Sequence, residues 1–437
     1  MTKGEINRIG DSIRLESSNP SETILASLQS YRISHKEALS TIFNVLCKCS
    51  RTIEASAITT YRIKRIESII RKLQRYPDMQ LSRMWDIAGC RCIFSGNTQV
   101  YKLLKLIQQD ASVKVKKIYN YIEMPQEEGY RSLHLFLEIP GSNVTIEVQI
   151  RNQIDHNWAT LVEITDLLFN VRLKEYADNS QLLMFHRLLA DKPNLSFEKK
   201  QIIIDTIKTF DYIQKLSNVF SKNYIQVRKR WLEIEGSGVK YFLIEAKADE
   251  VPRIHAFKNF SEAEATYFDV YKSNKNANIV LTHLAVANYQ NMSVAYSNYI
   301  LTFHTFLDDY YQILEDLIYD TMKNLSYIKF RSYYSQYTKA LFAYASNFIN
   351  ELKEVNAFQP KRITRNKKPK FSSKEKEWIT DMERQIRRNN ERAVRLNKML
   401  TNNLPHGIFY GWLFRHRIRS VNQSFNRKFN RLLNTPN

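Results

Sequence analysis

Two acidic residues, Asp86 and Glu147, belong to segments whose patterns predict β-strands. Residues 145–151 alternate apolar and polar side chains, so Glu147 shares the polar face of its predicted strand with Gln149 and Arg151. Asp86 opens an apolar segment, residues 86–94, that runs into a Ser-Gly-Asn turn sequence and is typical of a buried strand. A strand with one apolar face normally turns its polar face to water, so this pattern needs further support before it indicates chemistry.

A third predicted strand, residues 129–137, lies between these two in the sequence and places His134 on its polar face. Three neighbouring strands would then present two carboxylates, His134, Gln149 and several arginines on one face of a sheet. Carboxylates among arginines suit a divalent cation bound to a polyphosphate, because Mg²⁺ takes one or two carboxylates together with the substrate's own oxygens. We therefore expect Asp86 and Glu147 to bind Mg²⁺.

The segments around these strands resemble the RelA/SpoT nucleotide pyrophosphokinase family. The resemblance rests on ordered segments at residues 86–91, 121–122, 129–134 and 147–151, and it extends to residues 61–72 and 156–163. It implies an α+β fold with a mixed, nucleotidyltransferase-like sheet flanked by helices. It also implies an enzyme of the stringent response, a GTP pyrophosphokinase that moves a pyrophosphate from ATP to the 3′-hydroxyl of GDP or GTP.

The same resemblance implies roles for individual residues. Asp86 and Glu147 become the catalytic pair and the Mg²⁺ ligands, with Glu147 also drawing the proton from the acceptor hydroxyl. The positions that hold the ATP phosphates in relatives are here Arg62, Lys64, Ser68, Lys72 and Arg91. The positions assigned to the acceptor are Tyr130, which would stack on the base, His134, Gln149, His156 and Glu163.

Two predicted helices carry part of this set. Residues 60–75 place apolar side chains at three- and four-residue steps, which predicts a helix with another face formed by Lys64, Ser68 and Lys72. Farther along, one face of a helix would hold His156, Thr160 and Glu163. By residue pattern alone such faces are more often simply solvated, and the resemblance is what favours a binding role.

The loop before Tyr130 departs from the family pattern. Relatives commonly have a lysine four residues before this tyrosine, whereas this chain has Gln126, followed by Glu127 and Glu128. Losing a cation and gaining carboxylates weakens the expectation of a GDP or GTP acceptor. One alternative is a toxin-like relative that pyrophosphorylates the 3′-terminal adenosine of tRNA and blocks translation. Another is a catalytically silent RNA-binding protein that retains the fold.

A chain of 437 residues with 43% apolar side chains is long enough for two or three domains. The patterns predict a helical N-terminal extension (1–50), the catalytic domain (51–175), a helical connector (176–235), a small α/β accessory module (236–320) and a helical basic region (321–437). A linker at residues 235–238 opens the accessory module, and a segment at 295–299 adds to its resemblance to one branch of the family. We expect an interaction or oligomerisation role for this module.

The net charge of +21 predicts polyanionic partners. Residues 355–437 hold 20 Lys plus Arg against 5 Asp plus Glu, beginning with a basic linker at residues 361–370. Their arginines alternate with aromatic residues such as Trp412 and Phe414, a composition that fits tRNA or ribosomal RNA. A pair of basic helices that is exposed to solvent and binds no RNA fits this pattern equally well.

The remaining sequence features concern the cysteines and the cellular compartment of the protein. The cysteines Cys47, Cys49, Cys90 and Cys92 form pairs with one-residue spacing, closer than structural zinc sites use, so we expect core positions. No run of about 18 apolar residues and no signal-peptide pattern occurs. We expect a cytoplasmic protein without a membrane partner, and the sequence leaves open whether it forms a homo-oligomer or binds an antitoxin.

Overall fold

The computed structural model describes residues 1–16, 20–173, 180–216, 227, 230–234, 238–246, 252–273, 278–295, 304–354 and 371–434. The chain forms two compact units. The first unit comprises Met1–Ala190 and Gln226–Thr302, and the second comprises Asp191–Ile225 and Phe303–Asn437. Residues 235–237 of the predicted linker, residues 296–299 and the basic linker at 361–370 lie outside the described residues.

An eight-stranded mixed sheet organises the first unit. Its strands are β1 (Ile58–Ile63), β2 (Ala88–Phe94), β3 (Lys114–Asn120), β4 (Leu133–Glu138), β5 (Thr145–Asn152), β6 (Tyr241–Ala246), β7 (Arg253–Phe257) and β8 (Asn278–Leu284). The strand order is β3-β4-β5-β2-β1-β8-β6-β7. The central pair, β2 and β5, is parallel, and the other neighbours are antiparallel. This architecture confirms the predicted α+β class.

Nine described helices accompany this sheet in the first unit. They are α1 (Lys3–Leu15), α2 (Glu22–Ile33), α3 (Lys36–Ile53), α4 (Ile66–Arg75), α5 (Asn97–Gln109), α6 (Gln153–Phe169), α7 (Ser180–Ala190), α9 (Phe260–Ser273) and α10 (Tyr289–Ala295). Helices α3, α5 and α9 pack on one face of the sheet and bury the alternate apolar side chains of its strands. Cys47, Cys90 and Cys92 lie in this core, as predicted, and Cys49 packs at its edge.

The predicted helix over residues 60–75 is wrong at its start. Residues 58–63 form β1, and α4 begins only at Ile66. Tyr61 and Ile63 face the core with the two-residue period of a strand, and β1 is hydrogen-bonded on both sides, to β2 and to β8. Pairing on both edges outweighs local helix propensity, because it satisfies most backbone groups of a short buried segment.

The predicted accessory module at residues 236–320 is not separate from the catalytic domain. Strand β8 pairs with β1 through Ile58–Leu284 and Tyr61–Leu281, so β6, β7 and β8 extend the same sheet. Helix α9 contributes Tyr267 and Phe268 to the common core. The sequence also left β7 unpredicted. Pairing between strands more than 200 residues apart leaves no local signal in a single sequence.

The second unit is helical in its described part. It contains α8 (Phe197–Thr209), α11 (His304–Lys323), α12 (Tyr327–Glu354), α13 (Ser373–Asn402) and α14 (Ile408–Asn434). Aromatic packing joins α12 to α14, with the rings of Phe330 and Phe414 4.8 Å apart. An ion pair of 2.8 Å joins Arg392 of α13 to Asp308 of α11. The helical basic tail is confirmed, and no helix in the described parts of the chain is both long and apolar enough to span a bilayer.

Candidate active site

The sheet face opposite α3 and α5 carries the polar residues of the central strands. Across three neighbouring strands, Arg62 of β1 lies beside Gly89 of β2, which lies beside Glu147 of β5. One step along, Arg91 lies beside Gln149. Gly89 has no side chain, and a Cβ there would approach the Glu147 carbonyl oxygen to 3.0 Å. Gly89 thus lies between Arg62 and Glu147, where it lines a cavity.

This first cavity is bordered by both predicted catalytic carboxylates. Its lining includes Thr60, Arg62, Lys64, Asp86, Gly89, Arg91, Glu147 and Gln149. Asp86 precedes β2, and its carboxylate accepts bonds of 2.9 Å from Lys64 and 2.8 Å from Lys72 of α4. Burial alone would raise the pKa of Asp86, but the two ammonium charges outweigh burial and lower it to about 2. Asp86 is therefore ionised at neutral pH.

Glu147 is held by two side chains on its own face of the sheet. Its Oε1 lies 3.0 Å from His134 Nδ1, and Gln149 Nε2 donates to its Oε2 over 3.2 Å. Burial raises the pKa of Glu147, yet the contact with His134 lowers it overall. For His134 the opposite holds, since burial lowers its pKa and the bond to Glu147 raises it overall. The two groups thus favour a carboxylate facing an imidazolium.

A second cavity, of about 310 Å³, begins where the first one ends. This volume lies at the lower end of the range for ligand sites, about 300–1,000 Å³. Its lining includes Gln126, Glu128, Tyr130, His134, Arg151, Trp158, Glu163 and His186. Both cavities are lined by Arg62, Arg91 and Gln149. Two ligands bound in them would therefore meet at this shared row of residues.

Tyr130 is fixed by charged neighbours on both sides. Its hydroxyl lies 2.8 Å from His134 Nε2 and accepts a bond of 2.5 Å from Arg151. The Arg151 guanidinium also lies over the Tyr130 ring, 4.9 Å from its centroid. It donates a hydrogen bond of 2.9 Å to the side-chain oxygen of Gln149. A continuous chain of contacts thus runs from Arg151 through Tyr130 and His134 to Glu147.

Backbone geometry places Tyr130 at this position. Gly129 has a φ of +97°, and a Cβ on it would lie 2.4 Å from the Cβ of Ala190. Only glycine fits both the left-handed conformation and the close approach of α7. The side chain of the adjoining Arg131 donates a hydrogen bond of 2.9 Å to the Ala190 carbonyl oxygen, so the end of α7 anchors the loop.

Comparison with known families agrees with this geometry. Residues 61–166 match the model of a region found in RelA / SpoT proteins. This segment contains both carboxylates and the three residues that line both cavities, Arg62, Arg91 and Gln149. We refer to these matched residues as the RelA/SpoT region. The predicted family resemblance is thereby confirmed.

Several curated proteins are similar to this region. GTP pyrophosphokinase YwaC of Bacillus subtilis is 35% identical over 115 residues, which are 24% of this chain and 54% of that protein. GTP pyrophosphokinase YjbM of the same organism is 34% identical over 112 residues, 23% of this chain and 52% of that protein. The chain thus spans about half the length of these curated relatives. Among solved structures, small alarmone synthetase 2 from B. subtilis is 25% identical with a TM-score of 0.33, covering 41% of this chain and 98% of that chain.

Most residues predicted for ATP lie together in the RelA/SpoT region. Arg62, Lys64 and Arg91 line the first cavity, although Arg62 projects from a strand and not from the predicted helix. Lys72 reaches the site through its bonds to Asp86. Ser68 is half-buried on α4 and is not among the residues that line either cavity.

The predicted acceptor residues divide in the same way. Tyr130, His134, Gln149 and Glu163 line the second cavity. His156 does not, because its side chain is fully buried with Nε2 3.0 Å from the Val294 carbonyl oxygen. Burial, with the nearby charges of two arginines, lowers its pKa to about 3. The expectation that His156 faces a ligand is therefore corrected to a position inside the core.

Sequence reasoning assigned no binding role to several residues that line the second cavity. Arg151 follows Gln149 by two residues on the same strand face, so the alternation that identified Glu147 also contained it. Trp158 lies within the resembling segment and donates 2.9 Å to the His186 carbonyl. His186 belongs to α7, where no local motif marks it, and only the packing of α7 against α6 brings it to the site.

The donor set of this region suits Mg²⁺ in one specific way. Among the described residues, no group of three or more His, Cys, Asp or Glu side chains could hold a metal by itself. Asp86 and Glu147 nevertheless line the same cavity, close enough that the Asp86 charge partly offsets the lowering of the Glu147 pKa by His134. Mg²⁺ binds through one or two carboxylates when substrate phosphates supply further oxygens. The two carboxylates therefore fit a metal that arrives with a nucleotide.

Proposed function

We propose that this chain is an ATP-dependent pyrophosphokinase that transfers pyrophosphate to the 3′-hydroxyl of GDP or GTP, forming guanosine tetra- or pentaphosphate. The observation that carries the proposal is the pair of cavities that share Arg62, Arg91 and Gln149. One cavity holds cations and carboxylates for a polyphosphate, and the other holds aromatic rings for a base. A transfer between two nucleotides needs such sites side by side.

The first cavity is assigned to ATP. Arg62, Lys64 and Arg91 provide fixed positive charge toward its phosphates, and Lys72 can pass from Asp86 to a phosphate oxygen. Asp86 and Glu147 would hold Mg²⁺, which when bound neutralises charge on the phosphate oxygens. Fixed charges of this kind supply most of the acceleration in phosphoryl-type transfers, because the reaction depends on alignment and charge stabilisation.

The second cavity is assigned to the acceptor. The ring of Tyr130 offers a stacking surface for the base, and Glu163 offers a carboxylate that accepts bonds from base N–H groups. Glu147 lines the first cavity beside Gln149, which lines both, and it takes the proton from the 3′-hydroxyl. The 3′-oxygen then bonds to the β-phosphorus of ATP, the bond from that phosphorus to the α–β bridging oxygen breaks, and AMP leaves. His134 keeps Glu147 ionised for this step.

A second acceptor deserves testing because of the loop before Tyr130. Gln126 and Glu128 line the acceptor cavity, and Glu127 pairs with Arg187 at 2.7 Å. Carboxylates at this position disfavour a free 5′-polyphosphate. The 3′-terminal adenosine of tRNA carries no such group, so a toxin-like transfer to tRNA is our second proposal.

Label transfer from ATP separates these proposals. Protein incubated with ATP labelled in the γ-phosphate is offered GMP, GDP, GTP, deacylated tRNA or tRNA lacking its terminal adenosine. Labelled guanosine product supports the first proposal, and label on intact tRNA alone supports the second. Transfer to no acceptor, under conditions where a known synthetase works, would reject both and favour a silent RNA-binding protein.

A matched pair of variants ties the transfer to the site. Glu147→Gln should abolish transfer, whereas Glu138→Gln should retain it. Glu138 lies on the neighbouring strand β4, where it pairs with Lys116 at 2.6 Å and lines neither cavity. Equal activity in the two variants would remove Glu147 from the mechanism.

A further inference from the structure

The last helix of the second unit, α14, has an unusual composition. Over its 27 residues, Ile408–Asn434, it contains six Lys or Arg and no Asp or Glu. The preceding helix, α13, differs, since it mixes arginines with acidic residues and uses Arg388 and Arg392 to bind Asp308. Positive charge on α14 is therefore not offset along its own length.

One face of α14 is buried and rigidly held. Its buried side chains recur at three- and four-residue steps and are Phe414, Ile418, Val421, Phe425 and Phe429. Phe414 packs against Tyr327 and Phe330 of α12. At the other end, Lys353 of α12 donates 2.8 Å to the Leu432 carbonyl. The opposite face therefore projects from a fixed scaffold.

This opposite face, the outer face of α14, begins with exposed aromatic rings. Phe409 is 66% exposed and Trp412 60% exposed, although large aromatic side chains are normally buried. Trp412 stacks on His416, with ring centroids 5.6 Å apart and planes inclined by 27°. Farther along, the exposed residues of this face include Arg419, Gln423, Asn426, Arg427, Asn430 and Arg431.

We propose that the outer face of α14 binds single-stranded RNA. Its length of about 40 Å offers a track on which arginines bind successive phosphates, while the aromatic end stacks on unpaired bases. The amide side chains between the arginines donate and accept hydrogen bonds, as base edges require. An anionic lipid surface is disfavoured, because the face carries amide groups along its middle and because the apolar stripe of this helix is already buried.

This proposal does not depend on the transfer reaction. Binding is measured without ATP, so its failure and the failure of the proposed pyrophosphokinase activity are separate results. The probe is a fluorescent single-stranded RNA without secondary structure, titrated with the full chain at several salt concentrations.

The decisive variant is Arg419→Gln with Arg427→Gln, and the matched control is Arg387→Gln with Lys398→Gln on α13. All four side chains are exposed, and each double variant removes two charges. The α14 variant should weaken binding at least tenfold and reduce the slope of log affinity against log salt by about 1.4, since each lost phosphate contact on a single strand removes about 0.7. The α13 variant should change affinity less than threefold. Equal losses in both would show a general charge effect and overturn the proposal.

A second variant tests the aromatic end. Trp412→Ala should weaken binding by about fivefold or more, because stacking of one base on an aromatic side chain contributes that much or more to affinity, and it should leave the salt slope unchanged. Unchanged affinity would overturn the stacking role. Vesicles of anionic and neutral phospholipid provide the competing surface. Tighter binding to these vesicles than to RNA, lost in the same variants, would replace RNA by a membrane and overturn the proposal.

Discussion

The backbone N–H of Ile63 donates a hydrogen bond of 2.9 Å to the hydroxyl of Tyr267, 204 residues farther along the chain. Ile63 ends the strand that carries Arg62, and both partners of the bond are buried. A second contact supports the next residue, because the buried Arg32 donates 3.0 and 2.8 Å bonds to the Lys64 carbonyl. Its guanidinium lies 4.5 Å from the centroid of the Tyr271 ring. The backbone of the proposed ATP cavity is thus held from α2 and α9.

The first prediction concerns this support. Tyr267→Phe should destabilise the protein by about 1–3 kcal/mol, since it leaves a buried N–H without its acceptor. It should also raise the KM for ATP, because Arg62 and Lys64 flank Ile63. Urea unfolding and initial-rate kinetics measure the two effects.

Tyr271→Phe is the control for that experiment. The buried Tyr271 hydroxyl has no hydrogen-bond partner among the described residues, and phenylalanine keeps the ring under Arg32. This variant should be as stable as the original or more so. If both variants lose the same stability, the bond to Ile63 is not the cause.

The second prediction concerns the loop that carries Tyr130. Gly129→Ala should lower stability and raise the acceptor KM, because the added Cβ meets Ala190 and the backbone has a positive φ. Gly141→Ala provides the comparison, since Gly141 has a φ of +81° but open space around it. The stability difference between the variants, measured by urea unfolding, isolates the contact with α7. Identical behaviour of the two would contradict the proposed anchoring.

The third prediction concerns pH and the contact of His134 with Glu147. The raised pKa of His134 gives stability that is full below 6.5, its ordinary value, and is lost as pH rises through the folded-state pKa. The lowered pKa of Glu147 gives stability that is present above 4.5 and is lost as pH falls. The advantage of the original protein over His134→Asn should therefore be greatest between these two values. Urea unfolding across this range and to higher pH tests it, and an advantage that keeps growing with pH would contradict the pairing.

The fourth prediction separates two residues that the sequence placed on one helix face. His156→Leu should destabilise the fold and leave the acceptor KM of the remaining folded protein nearly unchanged, because His156 contacts Val294 inside the core. Glu163→Gln should do the reverse, because Glu163 lines the second cavity. Thermal unfolding and acceptor titrations measure both. A large change in acceptor preference with His156→Leu at unaltered stability would restore the sequence-based role.

The sequence by itself determined the central strands and the face that each one buries. In β4 and β5 the apolar side chains recur every second residue, and this period alone places His134, Glu147 and Gln149 on the face away from the core. The ordered segments that resemble the RelA/SpoT family predicted the remaining site residues, including Arg62 and Arg91 as ligands of a polyphosphate. Each of these conclusions needs only neighbours in sequence or a linear order of motifs.

Only the tertiary structure decided how β1 and the C-terminal part of the first unit complete the site. Ile63, Ile66 and Leu73 have helical spacing, so no local signal ends the strand at Ile63. The pairing of β1 with β2, which runs as far as Ile63, settles that boundary, and the pairing of β1 with β8 brings α10 to His156. Burial of one side chain on a helix depends on which distant element covers it. A single sequence does not show which distant element will cover a side chain. The free energy of strand pairing and packing arises between segments that become neighbours only after folding.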